Sequence, residues 1–96
     1  MDKKDFNEIE CDKISQILKV LGHPIRLKIV MGLLNNSCNV KKMWECLNLP
    51  QATVSQHLHV LKSQGILKGK RQANEIYYTI EDGFVKQLAE IIKITC

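Results

Sequence analysis

Gln51, Thr53, Ser55, Gln56 and His59 are polar, uncharged at neutral pH and closely spaced. A helical repeat would set them along the outer side of a segment whose inner stripe is Val54, Leu58 and Leu61. Short hydroxyls and carboxamides are the groups that read base edges. Gln56 offers the paired donor and acceptor that fits adenine, while Thr53 and Ser55 allow a close backbone approach. Just downstream, Lys62, Lys68, Lys70 and Arg71, with Gln72 and Asn74, supply groups suited to phosphate oxygens. From residue 40 to residue 71, six cations, including Lys41 and Lys42, stand against Glu45 alone. This third carries +5 in a chain that totals +4, which points to a polyanionic partner.

A second chemistry is available to sulfur. Cys11, Cys38, Cys46 and Cys96 are far apart and form no C-x-x-C pair, which excludes a zinc ribbon and a dense secreted disulfide framework. No nucleophile, base and orienting group recur at a catalytic spacing, and there is no glycine-rich phosphate loop. No catalytic residue is assigned and an enzyme is not expected. His57 lies at the edge of the Val54/Leu58 stripe and reads as a packed, hydrogen-bonded histidine, His23 as a helix-boundary residue, and Trp44 as a partly buried side chain. Cys46 is the cysteine best suited to a small apolar core position.

The elements that must position these groups follow from periodicity. Ninety-six residues, 45% apolar and 25% charged, suffice for a single domain spanning 1–96, which is small enough for a second copy of the chain to help stabilise it. No window approaches the roughly 18 apolar residues of a membrane span, and no apolar leader follows Met1, so a cytoplasmic protein is expected, with its cysteines mostly thiols. A first helix runs from Phe6 to Leu21 on Ile9, Ile14, Ile17, Leu18 and Leu21. Pro24 opens a second on Ile25, Ile29, Val30, Leu33 and Leu34, ended by Asn35-Asn36-Ser37. Val40, Met43, Trp44 and Leu47 make a short third, broken by Asn48-Leu49-Pro50, and the fourth extends from Gln51 to Gln64 with Gly65 as its stop.

Ile66 to Arg71 and Asn74 to Ile80 then form a β-hairpin about Gln72-Ala73, with Ile76, Tyr78 and Ile80 on its buried side. Glu81-Asp82 caps a last helix in which Phe84, Val85, Leu88, Ala89, Ile91, Ile92 and Ile94 cover more than one side. The fold expected is α+β, mostly α: a winged helix-turn-helix whose last helix packs against its own domain on one side and a second subunit on the other.

Three stretches carry a resemblance over nearly the whole chain: Leu21-Gly22-His23-Pro24-x-Arg26-Leu27-x-Ile29-Val30, then Gln51-x-x-Val54-Ser55-Gln56-His57-Leu58-x-x-Leu61-x-x-x-Gly65-Ile66-Leu67, then Ile76-Tyr77-Tyr78-x-Ile80. In this combination and order the sequence resembles the ArsR/SmtB winged-helix repressors. The resemblance implies a homodimer, its interface formed by the helices near 6–21 and 82–95, on an inverted-repeat operator in double-stranded DNA, released by an inducer or oxidant. Zinc-responsive relatives carry Asp-x-His at the start of the last helix, where this chain has Asp82-Gly83-Phe84. Arsenic-responsive relatives carry Cys-x-Cys where this chain has Cys38-Asn39-Val40, and one thiolate does not enclose a soft metal ion. No metal site is assigned.

Cys96 resembles the terminal cysteine of persulfide-responsive members, whose partner position in the second helix is taken here by Met31. Cys11 and Cys38 are the substitutes. The expectation is release through the thiols by persulfide, polysulfide, oxidant or As(III), with no cofactor required. Two alternatives stay open at this point: a protein-interaction adaptor on a winged scaffold, and a regulator with structural cysteines and no bound inducer.

Overall fold

A computed structural model describes residues 8–34 and 38–95, with 38–42, 44, 94 and 95 described by backbone alone. The order is α1 (Glu8–Leu21), α2 (Pro24–Leu33), β1 (Cys38–Asn39), α3 (Val40–Leu47), α4 (Gln51–Ser63), β2 (Leu67–Gln72), β3 (Glu75–Ile80) and α5 (Gly83–Thr95). The three strands form an antiparallel sheet in the order β1-β3-β2. β1 was not expected, because two residues are too few to show an alternating pattern. Phe6 of the expected first helix, and the Asn35-Asn36-Ser37 stop, lie outside the described residues.

Local chemistry explains the boundaries. Pro24 occupies the first turn of α2, where its missing N–H costs nothing, and the His23 imidazole caps that turn by accepting from the Ile25 amide at 3.2 Å. Asp82 caps α5, its Oδ1 accepting from Val85 N at 3.0 Å. α4 ends in a Schellman arrangement: Gly65 has φ 75°, its amide donates to Lys62 O at 3.0 Å, and Ile66 N donates to Leu61 O at 3.0 Å. Asn48, with φ 54°, supplies the left-handed residue that turns α3 into α4.

One hydrophobic cluster draws Ile17, Val20 and Leu21 from α1, Ile29, Val30 and Leu33 from α2, and Met43 from α3. Val54, Leu58 and Leu61 from α4, Leu67 and Tyr78 from the hairpin, Val85 and Ala89 from α5, and the connecting Ile66 complete it. The single apolar stripe read on the first helix divides in two. Ile17 and Leu21 are buried, whereas Ile9, Ile14 and Leu18 remain exposed, Ile9 by 77%. On α5 the same division leaves Phe84 and Ile91 exposed beside buried Val85 and Ala89.

The hairpin turns at Ala73-Asn74, one residue later than expected, and pairs Leu67 with Ile80, Gly69 with Tyr78 and Gln72 with Glu75. Packing selects this register. A β-carbon on Gly69 would stand 3.2 Å from the Tyr78 ring and 3.3 Å from Ile76 Cγ2, so glycine lets that ring pack closely over β2 without the small shift any side chain would impose. Every partner moves by two residues relative to the expected pairing, which keeps each side chain on its face. Ile76, expected on the buried face, is 38% exposed because it lies beyond the core, near the turn.

The two left-handed helix ends give a stability test. Nothing lies within 4 Å of a β-carbon placed on Gly65, so Gly65→Ala carries only the backbone cost, about 1 kcal/mol. That corresponds to roughly 4–8 °C in midpoint for a domain of this size. Asn48→Ala should lose a similar amount and Asn48→Gly very little; thermal unfolding followed by circular dichroism checks all three.

Candidate nucleic-acid interface

The rotation of α4 is set by Val54, Leu58 and Leu61, each at most 1% exposed. At about 100° per residue, Ala52, Gln56, His59 and Ser63 fall on the opposite side with Ser55 at its edge, and all five are exposed. Three of the sequence candidates, Ser55, Gln56 and His59, therefore share one outward face. Gln51 is exposed in the first turn but points nearer the azimuth of the buried stripe. Thr53 is half-buried, on the flank it shares with His57 and Val60.

Lys62 follows, exposed, in the last turn of α4. Along the wing, Lys68, Lys70 and Gln72 alternate onto the polar face, opposite Thr79, Tyr77 and Glu75. The Tyr77 hydroxyl donates to Glu75 Oε2 at 3.0 Å on that face. Arg71 is parted from its two lysine neighbours. It projects from the other face, beside Ile76 and beyond the core, and is exposed there, while Asn74 is exposed in the turn.

Arg26 escaped the sequence reading as a site residue. From α2 its Nε donates to His57 Nδ1 at 3.3 Å and its Nη1 to Val20 O at 3.4 Å, tying the end of α1 to the flank of α4. The His23 ring lies against His57 with centroids 4.5 Å apart. Arg26, His57 and Val60 line an open hollow together with Ser55, Gln56 and His59 from the outward side of α4. The histidine readings hold: His23 bounds a helix and His57 is packed and hydrogen-bonded. A sequence signal existed in the cation one turn after His23, but its partner lies 31 residues away.

The sulfur candidates are dispersed. Cys11 is half-buried in α1 and Cys46 is exposed on α3, both as free thiols. Cys46 is thus not the core residue expected; it sits at the rim of a small apolar recess between α2 and α3, where Met43 turns inward instead. Met31 is half-buried against the core. Cys38 is described by backbone alone, as is Trp44, and Cys96 lies outside the described residues. Among the described residues no three His, Cys, Asp or Glu side chains group as metal ligands, and no helix is long and apolar enough to cross a membrane.

Three helices, a tight turn, an exposed polar helix and a two-stranded wing define a winged helix-turn-helix regulator. Residues 23–68 match the family described as bacterial regulatory protein, arsR family, and the chain belongs to it. It is 38% identical over 91 residues to the transcriptional repressor PagR of Bacillus anthracis, covering 94% of this chain and 89% of that one. The PagR crystal structure superposes with a TM-score of 0.83 at 37% identity, over 90% of this chain and 99% of that one. HlyU of Vibrio cholerae, named a transcriptional activator, is 32% identical over 76 residues, 79% of this chain and 70% of that one. Its structure superposes with a TM-score of 0.89 over 93% and 97% of the two chains at 29% identity. A homodimeric winged helix-turn-helix DNA-binding domain from Mycobacterium bovis, at 24% identity, covers 99% of this chain and 85% of that one with a TM-score of 0.82, a likeness of fold.

Burial first, and then the His23 and Arg26 charges, hold the His57 imidazole below its usual 6.5, favouring the neutral ring that accepts from Arg26. A value depressed by folding gives stability that is present above pH 6.5 and is lost as pH falls through the folded value. His57→Gln keeps an acceptor without the titration. The wild-type advantage over His57→Gln in unfolding midpoint should therefore shrink as pH is lowered from about 7.5 to about 5; a constant difference contradicts the assignment.

Proposed function

We propose that this chain represses transcription by binding an inverted-repeat operator in double-stranded DNA as a homodimer, with α4 in successive major grooves. The observation that carries this reading is the uncharged outward face of α4, followed through the Gly65 turn by the Lys68/Lys70 face of the wing. The first can read base edges and the second can neutralise phosphates. Ser55, Gln56 and His59 are the base-facing set, with Gln51 and Thr53 at the groove margins. Lys62, Lys68, Lys70, Arg71, Gln72 and Asn74 serve the backbone. Repression is the direction supported by the PagR relative, whose sequence is 38% identical over 94% of this chain, against 32% over 79% for the activator HlyU.

Pairing is supported by two apolar stripes left facing water. Exposed Ile14 and Leu18 run along α1 with half-buried Cys11 on the same side, and exposed Phe84 and Ile91 run along α5 with half-buried Leu88 between them. A two-fold interface would cover both. It would also bring the Cys11 side of α1 toward an α5 helix, at whose end Cys96 follows in sequence. We assign release of DNA to reaction of these thiols, with Cys38 as the other candidate, the inducer being a persulfide, polysulfide, oxidant or As(III).

Sedimentation should give a dimer, and electrophoretic shift should favour a palindromic over a random duplex; binding of neither duplex would instead support an adaptor role. Lys70→Ala should reduce the slope of log affinity against log salt by about one unit. For the thiols, polysulfide treatment should weaken DNA binding in the wild type and leave Cys96→Ser unaffected. Equal affinity of reduced and treated wild type removes the inducer from the reading.

A further inference from the structure

The hollow beside α4 contains a cation that the base-facing and wing residues do not account for. Arg26 commits two of its five N–H donors, one to His57 Nδ1 and one to Val20 O. No carboxylate pairs with it among the described residues. Its remaining donors border a hollow whose other wall is Ser55, Gln56 and His59, on the outward face of α4. Both of its contacts are to acceptors in the fold, so the guanidinium is held in one place while keeping its full charge. A planar cation fixed at the edge of a polar helix face suits a phosphate, which a guanidinium grips through two parallel N–H donors.

We infer that Arg26 is a further DNA-binding residue: it clamps one backbone phosphate at the α2 side of α4. The inference rests on the DNA-binding reading above and adds a contact from a different element. With Lys68 and Lys70 on the wing and Arg26 on α2, anchors from two separate elements would set the angle at which α4 lies in the groove. His57 acts as a positioning residue here. Its neutral Nδ1 orients the guanidinium, and His23 packs behind its ring.

A phosphate contact is independent of sequence, so the probe is a labelled mixed-sequence duplex of about thirty base pairs, titrated by fluorescence anisotropy between 50 and 200 mM salt. Arg26→Gln should lower the salt slope by about one unit, losing roughly three- to fourfold less affinity over that range than the wild type does, whereas Arg26→Lys should retain the wild-type slope. A wild-type slope in Arg26→Gln, alongside the reduced slope of Lys70→Ala, overturns the phosphate clamp and leaves the DNA reading intact. Absence of any binding by wild type overturns both. A second measurement needs no variant. Arg26 and Arg71 are the only arginines in the chain, so its side-chain Nε–Hε spectrum holds two resonances to follow. The Arg26 signal should move on addition of duplex and return at high salt; a stationary Arg26 signal overturns the inference.

Discussion

Burial of Val54, Leu58 and Leu61 against the rest of the cluster holds α4 at one rotation about its own axis, and nearly everything at the surface follows from that angle. Each side chain of this kind contributes about 1.5–3 kcal/mol when taken fully out of water. Turning the helix by one residue would forfeit on the order of 5 kcal/mol, comparable with the whole stability of a small domain. The polar face is therefore presented by a core that cannot easily be repacked. Ser55, Gln56 and His59 point outward because their neighbours must point inward.

The wing is placed by the same helix through its end. Gly65 reverses the chain, and Ile66, fully buried, accepts from the Glu81 amide at 2.9 Å and the Asp82 amide at 3.4 Å. One residue thus joins the exit of α4, the base of the hairpin and the cap of α5. Gly69 then lets the Tyr78 ring cross β2, which seats the hairpin on the core and leaves Lys68 and Lys70 on the other side of the pleat. On the opposite flank, Arg26 joins α1 and α4 through polar contacts. These are softer than the hydrophobic stripe, and the His57 end depends on an imidazole that stays neutral.

The two outer helices divide their apolar residues between this core and solvent. In α1 the inner set is Ile17, Val20 and Leu21, and the outer set contains Ile14 and Leu18. A chain of 96 residues has a modest interior, and two helices greasy on both sides are more than it fills. The same helices connect to α4 through α2 and Arg26 and to the wing through Asp82.

Much of this was legible in the residue order. The α4 stripe, Gly65 as the stop, Pro24 opening α2 and Asp82 capping α5 are local rules acting within a turn or two of the chain, so the sequence alone determined the five helices, the hairpin and the outward placement of Ser55, Gln56 and His59. What it did not determine were pairings between distant segments. Tertiary structure chose the Ala73-Asn74 turn, which sets Gly69 opposite Tyr78, left Thr53 half-buried, and kept Cys46 out of the core. It also brought Arg26 to His57. Periodicity reports which side of an element is apolar, but the neighbour that covers each side is decided only when the elements pack together.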